Sequence, residues 1–271
     1  MPMENGITAL RLWKTASSAS DFRDAIDAHY QACIVAMERA GKKELVKLDN
    51  FWRKTFPATL QRRQSENKGN DCWITKEELV QTMQWKLARG KMRPLMNLVR
   101  GNDSGTVERI SRSALIAAQK GDISNAVTIF SGAELKGVGP ATASALLAAY
   151  RPDLFPFMAD EPTMLVLDES GQNGKLKYNL AEYLVFQRAI IGKCREINVP
   201  GEKAKSGTAR PLDAEEVGRA LWCLNRAEAL GLLSQEEQRT LLGTKRQAHD
   251  SQGVDGRKEQ RADRKKKKQS D

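Results

Sequence analysis

Two histidines and four cysteines are all that 271 residues offer to a metal ion or to thiol chemistry. His29 belongs to a helical stretch read as surface and His249 to a polar tail, so a histidine-based triad or zinc site is not expected. Cys33, Cys72, Cys194 and Cys223 follow no ligand spacing, which agrees with a reducing compartment and argues against a disulfide framework. No apolar run approaches the roughly 20 residues that cross a bilayer. The opening M-P-M-E-N-G lacks the basic-then-apolar order of a signal peptide. The expectation is an intracellular protein with no membrane partner, no metal and no cofactor. A G-x-x-x-x-G-K-S/T loop is missing, which speaks against nucleotide hydrolysis. Strand-like alternation and internal repeats are missing too, so the expected class is all-α.

What the chain does have is positive charge, with 44 Lys and Arg against 34 Asp and Glu. Residues 257–268 hold eight Lys or Arg against Glu259 and Asp263, so six of the ten excess charges sit in one short tail. That tail has almost nothing apolar to bury and is expected to be disordered. Arg264 to Lys268 reads as a nuclear localisation signal or a non-specific nucleic-acid patch, with a merely solvating tail as the alternative. A second basic run, Lys86, Arg89, Lys91, Arg93 and Arg100, has no acid between residues 85 and 100. It suits contact with DNA phosphates, or else forms a solvated face or pairs with acids elsewhere.

The most informative segment is L-K-G-V-G-P-A-T-A at residues 135–143, set between an apolar-patterned stretch from Ile123 and the Ala- and Leu-rich stretch from Pro140 to Tyr150. This reads as helix, tight hairpin, helix. Gly137 and Gly139 permit positive φ and close approach, and Pro140 suits the first helical turn. Such a turn leaves N–H groups free at a helix N-terminus, where a phosphate oxygen can sit. The plainer alternative is that the two glycines only turn a corner.

The string, followed by Asp160, resembles the helix-hairpin-helix DNA glycosylases, the superfamily of endonuclease III and of the adenine-mismatch and alkylbase glycosylases. The likeness is sharp over residues 123–165. The stretch from Trp73 to Pro94 is also similar to a eukaryotic branch of proteins with the same hairpin. The resemblance implies double-stranded DNA as partner, through Lys136, Gly137, Val138, Gly139, Ala141 and Thr142; the charge pattern adds Lys86, Arg89, Lys91 and Arg93 as candidate backbone contacts. It implies Asp160 as the catalytic carboxylate, a DNA-repair role, and action as a monomer. A carboxylate there would stabilise positive charge building on the sugar as an N-glycosidic bond breaks and could orient the attacking water. Asp160 before Glu161-Pro162 is equally a good N-cap, and the two readings are compatible.

Departures from the family pattern sharpen the expectation. Ala141 stands where backbone-cutting relatives carry a Schiff-base lysine, so a monofunctional enzyme is implied. The scattered cysteines do not repeat the closely spaced set that holds an iron–sulfur cluster in many relatives. An extruded base needs stacking faces, for which Tyr150, Phe157 and Trp85 are the candidates, with Phe155 and Trp73 nearby; each also suits a core. The alternatives to a glycosylase are a DNA-binding or chromatin-associated module without the chemistry, and an adaptor whose hairpin binds protein.

The pattern divides the chain into N-terminal helices (1–64) packing on the core, a glycosylase-like domain (71–243) and the tail (244–271). Helices are expected at 20–40, at 44–63 with a bend near Pro57, and at 75–89, where Thr75 and Glu78 form a capping box. Others are expected at 91–100, 105–119, 123–132, 140–150, 161–168, 180–197, after Asp213, and at 234–242.

Overall fold

The computed structural model describes residues 7–66, 71–169, 175–198 and 210–237, and every regular element among them is helical. In chain order these are α1 (Ile7–Thr15), α2 (Ala19–Arg39), α3 (Leu45–Asn50), a π-helical stretch (Phe51–Thr55), α4 (Phe56–Glu66), α5 (Lys76–Arg89) and α6 (Met96–Arg100). They continue with α7 (Ser104–Gln119), α8 (Ile123–Phe130), α9 (Pro140–Tyr150), α10 (Asp160–Glu169), α11 (Leu180–Ile197) and α12 (Ala214–Leu230). No described helix is long and apolar enough to cross a membrane.

Local chemistry explains most of the boundaries. At the start of α5, Glu78 N–H donates to Thr75 Oγ1 and Thr75 N–H to Glu78, which satisfies two orphan donors. Asp213 and Glu216 do the same for α12, and Asn179 caps α11 through Glu182 N–H. The expected bend near Pro57 is a π stretch between α3 and α4, because the ring removes the amide that would bond one turn back. The expected helix over 91–100 is confined to Met96–Arg100, since Gly90 ends α5 and Pro94 disfavours helical geometry at Arg93. Helix α1 had no patterned signal. His29 is buried rather than on a surface.

The chain divides by contact into Met1–Leu232 and Leu233–Asp271. The first unit contains all the helices above. Helix α2 lies along α12, and Trp52 of the π stretch stacks on Trp85 of α5 with centroids 3.8 Å apart. Helix α9 is buried all round from Ala141 to Ala149, which is why its sequence is uniformly small and apolar. Of the second unit only residues 233–237 are described, and there Ser234 and Glu237 form a reciprocal capping pair. The remainder of the helix expected at 234–242, and the basic tail, lie outside the described residues.

Candidate functional site

The hairpin between α8 and α9 is held by packing and by one amide side chain. Gly137 has φ +77°, and a Cβ there would lie 3.0 Å from Val99 Cγ2 and 3.1 Å from Leu98 Cβ, so both its conformation and the close approach of α6 require glycine. Gly139 differs from expectation: it is extended (φ −100°, ψ −179°) with open space where a Cβ would sit. Buried Asn102 reads the backbone of Lys136 in both directions, accepting its N–H at 2.8 Å and donating to its C=O at 3.0 Å. Leu135 and Val138 are pegged into the core, while Lys136 and Gly139 are exposed. Among the described residues the N–H groups of Gly137, Gly139 and Ala141 have no acceptor. They remain available to an anion at the start of α9.

The same end of α9 opens onto a cavity of about 470 Å³, lined by Gly139 to Thr142, Phe157 to Glu161, and basic side chains from α5 and its following loop. Asp160 lies at its wall. Tyr178 Oη donates to Asp160 Oδ1 at 3.0 Å, and Lys91 Nζ stands 3.5 Å from Oδ2. The hydrogen bond on this carboxylate therefore comes from across the cavity rather than from an amide of α10, which corrects the expected N-cap role. Ser144 joins this wall to the hairpin helix by accepting Met158 N–H at 3.0 Å and donating to the Ala141 carbonyl. Tyr178 has φ +57°, rare for a tyrosine, and its turn is clamped by Glu182, which accepts the N–H groups of Lys177 and Tyr178. Burial, and then the adjacent Asp160, push the Tyr178 phenol up to about 12, so it stays a donor at neutral pH.

No family model, curated protein or solved structure matches this chain. Its functional reading therefore rests on the residues.

The structure brings Asp160, Gly139, Ala141, Thr142, Lys86, Arg89, Lys91, Arg93 and Phe157 to the one cavity. Two of the expected DNA-backbone contacts are turned elsewhere. Arg89 is only 3% exposed and faces the cavity, and Lys86 is half-buried in its wall, because the last turn of α5 points inward. Lys91 and Arg93 are exposed, with the Arg93 guanidinium 4.6 Å from the Tyr178 ring centre. Two expected base-stacking faces do not line the cavity: half-buried Tyr150, and Trp85, which is sandwiched in the core between Trp52 and Phe157. The indole N–H of Trp85 is spent on buried Asp49 at 3.0 Å.

Sequence reasoning missed Tyr178, Lys177, Trp222 and Arg226, which also line the cavity. Only the N-x-x-E pattern from Asn179 to Glu182 marked that a shaped turn lay there. The four cysteines do not converge on a cluster site. Cys33 and Cys223 are neighbours, Cys72 donates to the Leu60 carbonyl, and no group of three or more metal-ligating side chains occurs among the described residues.

Chemically, the cavity joins a fixed carboxylate, a phenol donor and an amine. The Lys86 ammonium is pushed down to about 8, first by burial and then by Arg93, with Asp160 pulling the other way. Arg226 pairs with buried Glu161, so Asp160 is the carboxylate left facing the open space beside Lys91 and Tyr178.

Proposed function

We propose that the protein binds double-stranded DNA as a helix-hairpin-helix glycosylase-like protein and hydrolyses the N-glycosidic bond of a damaged or mismatched base at Asp160. The observation that carries this reading is that Asp160 shares one cavity with the first residues of the hairpin helix. A strand gripped by the free amides of Gly137, Gly139 and Ala141 would thus have a nucleotide-sized recess beside it. The cavity falls in the range of about 300–1,000 Å³ usual for small-molecule sites. Once a nucleotide is extruded, the Asp160 carboxylate stabilises the positive charge on the sugar and orients water. Tyr178 and Lys91 fix where that carboxylate points. Met92, 71% exposed between Lys91 and Arg93, is an apolar side chain suited to fill the gap left in the stack. With Ala141 at the hairpin position, the products are a free base and an intact abasic site. The basic tail adds nuclear targeting and sequence-independent DNA affinity.

Both oxygens of Asp160 are engaged, and this favours a second reading, a DNA-binding module without chemistry. Duplex binding is common to both. Affinity should fall steeply with salt and depend little on sequence, and replacing Gly137 and Gly139 with bulky residues should weaken it. Unchanged affinity in a folded double variant would remove the hairpin from the interface.

A further inference from the structure

The floor of the cavity contains a charge with no hydrogen-bond acceptor among the described residues. Arg89 is 97% buried by its 3% exposure, yet its guanidinium has no hydrogen bond to any described group, and its Nε is enclosed without an acceptor. It is held by rings alone, 3.8 Å from the Trp222 centroid and 5.2 and 5.3 Å from those of Trp85 and Phe157. The buried carboxylate of this region, Asp49, accepts from Tyr30 and Trp85 and makes no ion pair with Arg89. An ionised group taken out of water without an acceptor is costly, and cation–π contact offsets only part of that cost. A guanidinium packed among three rings is also a fork held in place before any ligand arrives.

The rest of the cavity has the same sign. Among the described residues seven cationic side chains and two carboxylates line it, which is more positive charge than one carboxylate ligand would neutralise. Of the two acids, Glu161 is paired with Arg226, and Asp160 lies against Tyr178 and Lys91. Arg89 and Lys86 line the cavity with no hydrogen bond or ion pair to a described group. A phosphodiester inside a continuous strand would have to bring both flanking sugars to the floor, whereas a terminal phosphate enters end-on.

We propose that the cavity binds a phosphomonoester, held at its floor by the Arg89 fork and the Lys86 ammonium. The source is a nucleotide or the phosphorylated end of a DNA strand, which share this chemistry. The inference goes beyond the reading of Asp160 and stands apart from it, because binding is measured without base release.

The test is thermal unfolding of the full chain with inorganic phosphate, thymidine 5′-monophosphate, thymidine, or a short single strand with and without a 5′-phosphate, at constant ionic strength set with chloride. A ligand that binds only the folded state raises the midpoint as its concentration exceeds its dissociation constant. Phosphate and the monophosphate should raise it, and thymidine should not. A larger effect of the phosphorylated strand than of the mononucleotide assigns the ligand to a DNA end, and the reverse assigns it to a free nucleotide. Arg89→Met should weaken binding at least tenfold. Arg89→Lys, which keeps the charge and loses the fork, should weaken it less and carries the comparison if the methionine variant does not fold. No midpoint rise beyond the chloride control in the wild type would overturn the proposal. So would equal rises in the wild type and in whichever Arg89 variant folds.

Discussion

At the scale of single residues, the two hairpin glycines separate into different roles. Gly137 combines a left-handed φ with contacts near 3.0 Å to α6, so Gly137→Ala should destabilise the protein by about 1–3 kcal/mol. Gly139 is extended and open, so Gly139→Ala should cost less than about 0.5 kcal/mol. Denaturant titration of the two variants measures the contrast, and equal losses would contradict it. Lys86 gives a pH signature. Its folded pKa, about 8, lies below its ordinary value of 10.5, so the unfolded chain binds the proton more tightly between those limits. The cost of burying the ammonium is fully present below pH 8 and is relieved as pH rises toward 10.5. Cys33 and Cys72, pushed up to about 11 by burial, and Tyr178 work in the opposite direction, so the difference between two proteins is the useful quantity. Lys86→Met should be more stable than wild type at pH 7, with the advantage shrinking between pH 8 and 10.5. A pH-independent difference would show that the lysine is not held down by burial.

At the scale of elements, the hairpin depends on Asn102, which lies outside it. Asn102→Ala should leave Lys136 without its backbone partner, cost about 1–3 kcal/mol and speed amide exchange at Lys136 and Val138 relative to α7. Unaltered exchange there would place the rigidity in Leu135 and Val138 instead. The elements legible in the sequence were those with local signals: the Thr75–Glu78 and Asp213–Glu216 boxes, Pro140 at a first turn, and the Ala- and Leu-rich α9. The failures also have local causes. Helix α1 carries no acidic first turn. The expected helix over 91–100 ignored what Pro94 does to Arg93. The last turn of α5 shows what the basic run leaves open: cations at a helix end look the same in sequence whether they face water or a cavity. Arg89 turns inward because the rings of Trp85 in α5 itself, Phe157 and Trp222 of α12 assemble there, and no local pattern encodes that meeting. Asp160 was legible as a carboxylate at a fixed distance from the hairpin; its phenol partner on Tyr178 was not, since that contact depends on a left-handed turn 18 residues away.

At the scale of the whole molecule, the described residues of Met1–Leu232 form an all-helical unit whose cavity collects side chains from α5, α9, α10, α12 and the turn before α11. Deleting residues 257–271 should leave the unfolding transition of this unit unchanged while lowering nuclear accumulation and the salt-sensitive part of DNA affinity. A truncated chain that concentrates in nuclei and binds DNA as tightly would refute that role. Asp160 is proposed to take part in breaking a glycosidic bond, and base release is the direct readout of that chemistry. Wild type and Asp160→Asn are incubated with a panel of duplexes carrying damaged and mismatched bases, and abasic sites are revealed by alkali. The wild type should release at least one base and leave an alkali-sensitive, otherwise intact strand. Asp160→Asn should bind the same duplex and release nothing, because the amide keeps the size and removes the charge. No release by the wild type across the panel, or undiminished release by Asp160→Asn, would contradict a catalytic role for Asp160.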